Sequence, residues 1–352
     1  MFLGRNSTTD IKQTNNDSNL FEINSTNNNN KLMNNSNQKN NLCLTVEKHI
    51  KDNSYRINSN LTIKEIKNRK NLLKKVKNSA KNLNLQVINN SLLKKGMNII
   101  ITCEGIKNQL NNKLKRNDGF VYFGAYPNNE NIPLDENNYE IIDFNLYSNT
   151  FFNNFNNENN NFDENNKGRH FLIEYSLEKN IYIIKDLGVG YGTFVRLDYT
   201  LNLKDNMLIN IGQIYVLIHI SNFFEYNDSQ NNNSNNNNSL NSQKPNQLKL
   251  IIYGINYNEE TFYYKPINNN ITIGRYQLAN IHLNDKLLSQ IHCTINYSEK
   301  EGWLLTDGQI NKPSTNGTWL YINDEYNIYD KMIFKTGQIM FQATYINNGN
   351  NM

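Results

Sequence analysis

Ser289 and His292 stand three residues apart in the run LLSQIHCTINY. A serine beside a histidine can be a nucleophile and its general base. That chemistry also needs a third group to orient the imidazole and an oxyanion hole, and no motif in the chain marks either. No P-loop, kinase signature, metal cluster or nucleophile elbow occurs. The polar residues around the pair suggest different chemistry. Gly274-Arg275 comes before it; Trp303, Asp307 and the run Ser314-Thr315-Asn316-Gly317-Thr318 come after it. A guanidinium, two hydroxyls and an amide make a poor catalytic set. They make a good receptor for a phosphate, which carries about −1.5 to −2 charge and three strong acceptor oxygens. Arg275 would supply charge-assisted bonds, roughly twice as strong as neutral ones. Ser289 would donate its hydroxyl.

The elements that must hold these residues are strands. From residue 97 the chain is a series of short apolar segments rich in Ile, Tyr, Val and Phe, broken by Gly, Asn and Asp. "MNIIITCEGI", "FVYFGAY", "HFLIEYSL", "NIYIIKDLG" and "NMLINIGQIYVLIHI" lie before an Asn/Ser/Gln linker at 226–246. "LKLIIYGI", "NITIGRY", "EGWLLTDG" and "KMIFKTGQIMFQATYI" lie after it. The two series repeat. Gly192-Thr193 and Gly317-Thr318 are 125 positions apart, as are Asp205 and Asp330, Met207 and Met332, and Gly212-Gln213-Ile214 and Gly337-Gln338-Ile339. Two β-domains of about 100 residues each are therefore expected. Upstream, Gly124 and Gly274 are 150 apart, and the excess maps to an Asn-rich insertion at about 137–166. In a β-sandwich the loops gather at the ends of two sheets, where they can form one concave site. Arg275, Ser289, Thr315 and Asn316 are all expected at such strand–loop junctions.

The order Gly-Arg, then Ser-x-x-His, then Asn-Gly-Thr, with these gaps, resembles the forkhead-associated (FHA) domain over residues 247–346. The resemblance implies an all-β fold of two FHA-like sandwiches in tandem: 97–222, degenerate in its motifs, and 247–346. It implies a phosphothreonine-dependent protein-interaction module, acting as an adaptor or scaffold, with no enzymatic activity and no cofactor. Arg275, Ser289, Thr315 and Asn316 would contact the phosphopeptide, with Asn316 gripping its backbone. Gly274, His292, Gly317 and Thr318 would shape the site, the histidine by bonding across loops. The family's second arginine is Gln290 here, with Lys286 nearby as a compensating charge. In the first series Gly124 is followed by Ala125, the serine position falls at Lys167 and the asparagine position at Tyr191. That series retains His170 and Asp186 and is expected to keep the frame without the standard contacts.

Outside the strands, residues 1–42 are rich in Asn and Ser and are expected to be disordered. Residues 60–86 read as a basic amphipathic helix, with Ile63, Ile66, Leu73, Val76, Ala80 and Leu83 at helical spacing and Thr62 with Glu65 as a capping box. Either that stripe packs on the next domain or the helix meets an acidic partner. Residues 60–96 carry ten Lys/Arg and one acid, Glu65, which also keeps nucleic acid open. The net charge of +4 is too mild to argue for nucleic acid by itself. Cys43, Cys103 and Cys293 form no CxxC pair, which points away from a disulfide framework or zinc site and toward a reducing compartment. With no signal peptide or membrane-length apolar run, an intracellular protein of the nucleus or cytoplasm is expected. The alternative to phosphopeptide binding is a phosphate-independent assembly protein that uses both sandwiches and the basic helix.

Overall fold

The computed structural model describes residues 62–89, 91–107, 116–127, 131–135, 140–147, 166–221, 247–254, 257–268, 270–309 and 311–347. The segments 1–42 and 226–246, and most of the expected insertion, lie outside these residues. In chain order the elements before the linker are α1 (Ile63–Val76), β1 (Asn82–Val87), β2 (Asn98–Thr102), β3 (Gly105–Ile106), β4 (Phe120–Ala125), β5 (Phe144–Asn145), β6 (Gly168–Ser176), β7 (Ile181–Asp186), β8 (Thr193–Arg196), β9 (Leu201–Asn202), β10 (Leu208–Ile211) and β11 (Ile214–Ser221). After it come β12 (Gln247–Gly254), β13 (Tyr257–Tyr264), β14 (Ile271–Gly274), β15 (Ile281–His282), β16 (Cys293–Ser298), β17 (Gly302–Asp307), β18 (Thr318–Tyr321), β19 (Tyr326–Asn327), β20 (Ile333–Thr336) and β21 (Ile339–Ile346).

The basic helix starts where the capping box put it. The Thr62 N–H donates to Glu65 Oε2 at 2.7 Å, and the Glu65 N–H donates to Thr62 Oγ1 at 3.3 Å. It stops ten residues before the expected end at 86, because residues 82–87 leave for a strand. Leu83 is therefore a strand residue and Ile63 is exposed. The helix packs on the β-structure through Leu73, which is fully buried, and through Arg69. Arg69 Nε donates to the Asp118 carbonyl at 2.6 Å and Nη2 to the Tyr175 carbonyl at 2.8 Å, with the guanidinium 4.3 Å over the Phe120 ring. Among the described residues no helix is long and apolar enough to cross a membrane.

The strands form one eleven-stranded sheet, in the order β13-β12-β11-β10-β18-β8-β20-β21-β1-β2-β3, and two five-stranded sheets. The large sheet serves both sandwiches. One small sheet, β19-β7-β6-β4-β5, shares a core with its β8, β20, β21, β1 and β2 end; the other, β15-β14-β16-β17-β9, shares a core with its opposite end.

The two sandwiches are not the two sequence segments. The C-terminal strands are exchanged between them. β1 pairs with β21, while β12 pairs with β11. β8 pairs with β20, while β18 pairs with β10. β7 pairs with β19, while β17 pairs with β9. The crossing point is symmetric: β8 lies antiparallel to β18, with Val195 opposite Leu320, Phe194 opposite Tyr321 and Arg196 opposite Trp319. Val195 belongs to the first core and Leu197 to the second; Leu320 belongs to the second and Ile322 to the first. Residues 97–222 and 247–346 are thus each split across both sandwiches. A cross-half bond secures the junction, where the Tyr321 hydroxyl donates to the buried carboxylate of Asp186 at 3.1 Å. Burial holds that carboxyl well above its ordinary range, at about 6.

Side-chain volume distinguishes the two cores. The first core holds a cluster of four phenylalanines among its aliphatic residues. Phe123 stacks on Phe171 at 4.4 Å, Phe334 stacks on Phe341 at 5.1 Å, and Phe171 meets Phe334 edge-on at 5.6 Å. The second core is mainly aliphatic, built from Ile209, Ile211, Ile214, Val216 and Ile218 against Leu248, Leu250, Ile252, Ile271 and Ile273. The phenylalanines of β20 and β21 match the first core, and the isoleucines of β10 and β11 match the second.

Candidate functional site

One end of the second sandwich gathers the residues singled out in the sequence. Arg275 follows β14 directly, Lys286 to Gln290 lie in the loop before β16, and Thr315 to Gly317 in the loop before β18. Two close approaches bring these loops together. A Cβ on Gly274 would lie 2.2 Å from the Gln290 carbonyl oxygen, so only glycine lets these two backbones run this close. The Arg275 N–H then donates to the Ser289 carbonyl at 3.1 Å and the Tyr276 N–H to the Gln290 carbonyl at 3.0 Å. Gly317 has φ of 77°, the left-handed turn that brings the Asn316 segment back toward Ser289.

The loops are tied by side chains as well. The Thr315 N–H donates to Ser289 Oγ at 3.0 Å, and the Ser289 hydroxyl donates to Thr315 Oγ1 at 3.3 Å. Asn316 Nδ2 donates to the Leu287 carbonyl at 2.7 Å. His292 sits beneath, fully buried. Its Nδ1 accepts the Ser289 backbone N–H at 3.2 Å, which fixes the tautomer with hydrogen on Nε2, and Nε2 donates to the Gly317 carbonyl at 3.1 Å. The imidazole thus bridges the two loops, and the serine hydroxyl points to Thr315 rather than to the ring. This geometry removes the Ser–His nucleophile. Asp307 braces the second loop from below: it accepts the Ser314 N–H at 3.0 Å, the Ser314 hydroxyl at 2.6 Å and the Thr318 hydroxyl at 2.7 Å. Thr318 is fully buried, consistent with a shaping role.

Arg275, Lys286, Gln290, Thr315 and Asn316 are exposed and Ser289 is half-buried. Arg275 has no ion pair among the described residues, and its backbone N–H joins it to the Ser289 loop, so an exposed cation is available at this end of the sandwich. That arrangement suits an incoming oxyanion.

A protein-family model matches residues 271–337, and its description is FHA domain. Those residues are an FHA domain. No curated protein and no solved structure matches the chain. FHA domains are phosphopeptide-binding modules for protein–protein interaction, not enzymes. The matched span reaches from β14 to the Thr336 end of β20, so it contains every loop described above and also strands β19 and β20, which serve the other sandwich.

The corresponding end of the first sandwich is built differently. The close approach is preserved: a Cβ on Gly124 would lie 2.2 Å from the Gly168 carbonyl oxygen. The polar groups are redirected. Arg169 Nε donates to the Ile141 carbonyl at 2.6 Å and its guanidinium stacks 4.0 Å over the Tyr122 ring. His170 Nε2 bonds the Asn166 carbonyl at 2.7 Å, within its own approach to β6, and the ring meets the next loop by packing against Gly190. Tyr191, at the asparagine position, is half-exposed.

Burial lowers the pKa of His292 below its ordinary 6.5, so the folded site holds the neutral ring. Its contribution to folding is complete above pH 6.5 and is lost as pH falls through the lower folded value. A ¹H–¹⁵N NMR titration of the ring should give a midpoint below 6.5 and perturb Ser289 and Gly317 at the same pH. Asp143 and Asp186, raised by burial to about 7 and about 6, act with the opposite sign, so the ring resonance is the proper readout rather than a melting temperature. A midpoint at or above 6.5 would contradict the neutral bridge.

The sequence did not reveal Asp285. Its carboxylate accepts the Leu287 N–H at 2.8 Å and, from the first half, the Gln213 N–H at 3.0 Å. By sequence Asp285 is an ordinary turn aspartate, and Gly212-Gln213 served only to mark the repeat.

Proposed function

We propose that the chain docks onto phosphothreonine-bearing segments of other proteins as an adaptor or scaffold, through Arg275, Ser289, Thr315 and Asn316. The observation that carries this reading is the cross-loop set of Ser289, Thr315 and Asn316, with the exposed Arg275, free of any ion pair among the described residues, joined to the Ser289 carbonyl through its backbone N–H. Arg275 and the Ser289 hydroxyl bind the phosphate, the hydroxyl by turning its proton away from Thr315 Oγ1. Asn316, with one N–H on the Leu287 carbonyl, presents the rest of its amide to the peptide backbone. Gln290 donates a neutral bond where the family has an arginine, and Lys286 on the same loop restores one positive charge. The first half supplies structure, since its strands complete the core behind the site. The exposed lysines of α1 are a second surface suited to an acidic protein or nucleic acid, a contact that added salt would weaken steeply. The place of action proposed for it is the nucleus or the cytoplasm.

An oriented phosphothreonine peptide array on the whole chain tests the reading, alongside a pulldown from lysate with and without phosphatase. Capture that depends on the phosphate supports it. A partner set that survives dephosphorylation supports phosphate-independent assembly instead.

A further inference from the structure

The strand exchange brings a piece of the first half to the rim of the phosphopeptide site. The turn Gly212-Gln213 joins β10 to β11 and abuts the 285–288 loop of the FHA domain. A Cβ on Gly212 would lie 2.7 Å from Asp285 Oδ2 and 3.2 Å from Leu287 Cβ, so the two halves meet here with no room to spare. A continuous run of bonds crosses the boundary: the Gln213 N–H to Asp285, the Leu287 N–H to Asp285, and Asn316 Nδ2 to the Leu287 carbonyl. The Gln213 side chain is exposed, and next to it Leu287 is 44% exposed.

An extended peptide advances about 3.3 Å per residue, so the two or three residues beside a phosphothreonine held at Ser289 and Asn316 lie within about 10 Å of it. The Leu287 edge and the Gln213 turn border that space. Leu287 offers an apolar contact, and the Gln213 amide offers both donors and an acceptor. We propose that Gln213 is a specificity-determining residue of the site, contacting the peptide next to the phosphothreonine, and that Asp285 is the positioning residue that holds it there. The second half then reads the phosphate and the first half reads its flank. This rests on the phosphothreonine reading above.

The test uses the whole chain as wild type, Gln213→Glu and Gln213→Lys, each screened on an oriented phosphothreonine library. All three should require the phosphate and melt alike. At one or two flanking positions the Glu variant should gain about two- to fivefold for basic residues and the Lys variant the same for acidic ones, as expected of a charge at a solvated rim. Asp285→Ala should blur the flanking preference of the wild type while phosphate dependence persists, with Asp285→Asn in between. Identical flanking preferences in wild type and both Gln213 variants, with phosphate binding intact, would overturn the role of Gln213. Unchanged preferences in Asp285→Ala would overturn the positioning role. If the wild type takes no phosphothreonine peptide at all, the proposed function fails and this inference fails with it.

Discussion

Residues 240–352 produced alone will not hold a phosphothreonine peptide that the whole chain holds, and will lack a cooperative melting transition. The fragment contains every residue of the proposed phosphate contact. It lacks residues 201–221, which bring Leu203, Ile209, Ile211, Ile214, Val216 and Ile218 into the core behind that contact. Each buried aliphatic side chain contributes about 1.5–3 kcal/mol, and the whole stability of a domain is only about 5–15 kcal/mol. The fragment's own β20 and β21 have the right alternation to fold back into the gap, but their side chains do not fit it. At the 125-residue offset Phe334 would take the place of Ile209, Phe341 that of Val216, Ala343 that of Ile218 and Thr336 that of Ile211. Two phenylalanines overpack, at about 1–3 kcal/mol for such changes, and the alanine leaves a void. Circular dichroism melts and fluorescence polarisation with a peptide selected on the whole chain decide the matter. A fragment with a sharp melt and full affinity would show that the hairpin folds back and that the exchange is dispensable.

In the whole chain, Arg275→Ala should weaken phosphothreonine binding roughly tenfold to a hundredfold, the loss of about 1.5–3 kcal/mol expected for a bond to a charged group. Against a micromolar affinity, about −8 kcal/mol, that reaches the limit of detection. The side chain is exposed and pairs with no carboxylate among the described residues, so the melting temperature should not move. Arg275→Lys should fall between, because the ammonium keeps the charge and loses the planar fork. Calorimetric titration of the three proteins with one peptide measures this. An alanine variant that binds like the wild type would remove Arg275 from the site.

The motif residues were legible because each sits beside a backbone feature that only certain residues allow. Gly274 marks the close approach to Gln290, Gly317 the left-handed turn, and His292 the bridge between loops. The helix start was legible from Thr62 and Glu65. Its end was not, because Ala80 and Leu83 continue the helical spacing although the chain has already turned at 77–81; the Ser79 N–H bonds the Val76 carbonyl there. The exchange was hidden for a deeper reason. Alternation tells which face of a strand is buried, but not which neighbour it pairs with, and β11 and β21 carry the same alternation. The distinguishing signal was volume, Phe334 and Phe341 against Ile209 and Val216, and it acquires meaning only beside Phe123 and Phe171. Asp285 and Gln213 escaped notice for the same reason, being 72 residues apart in the chain and joined only by that exchange.

The most direct measurement is amide hydrogen exchange of the whole chain, with and without a selected phosphothreonine peptide. Slowed exchange is expected at 274–276, 287–292 and 314–317, and also at 212–213 in the first half, all of it absent when the same peptide carries plain threonine. Protection confined to other surfaces, or the same protection with the unphosphorylated peptide, would contradict a phosphate site built jointly by both halves.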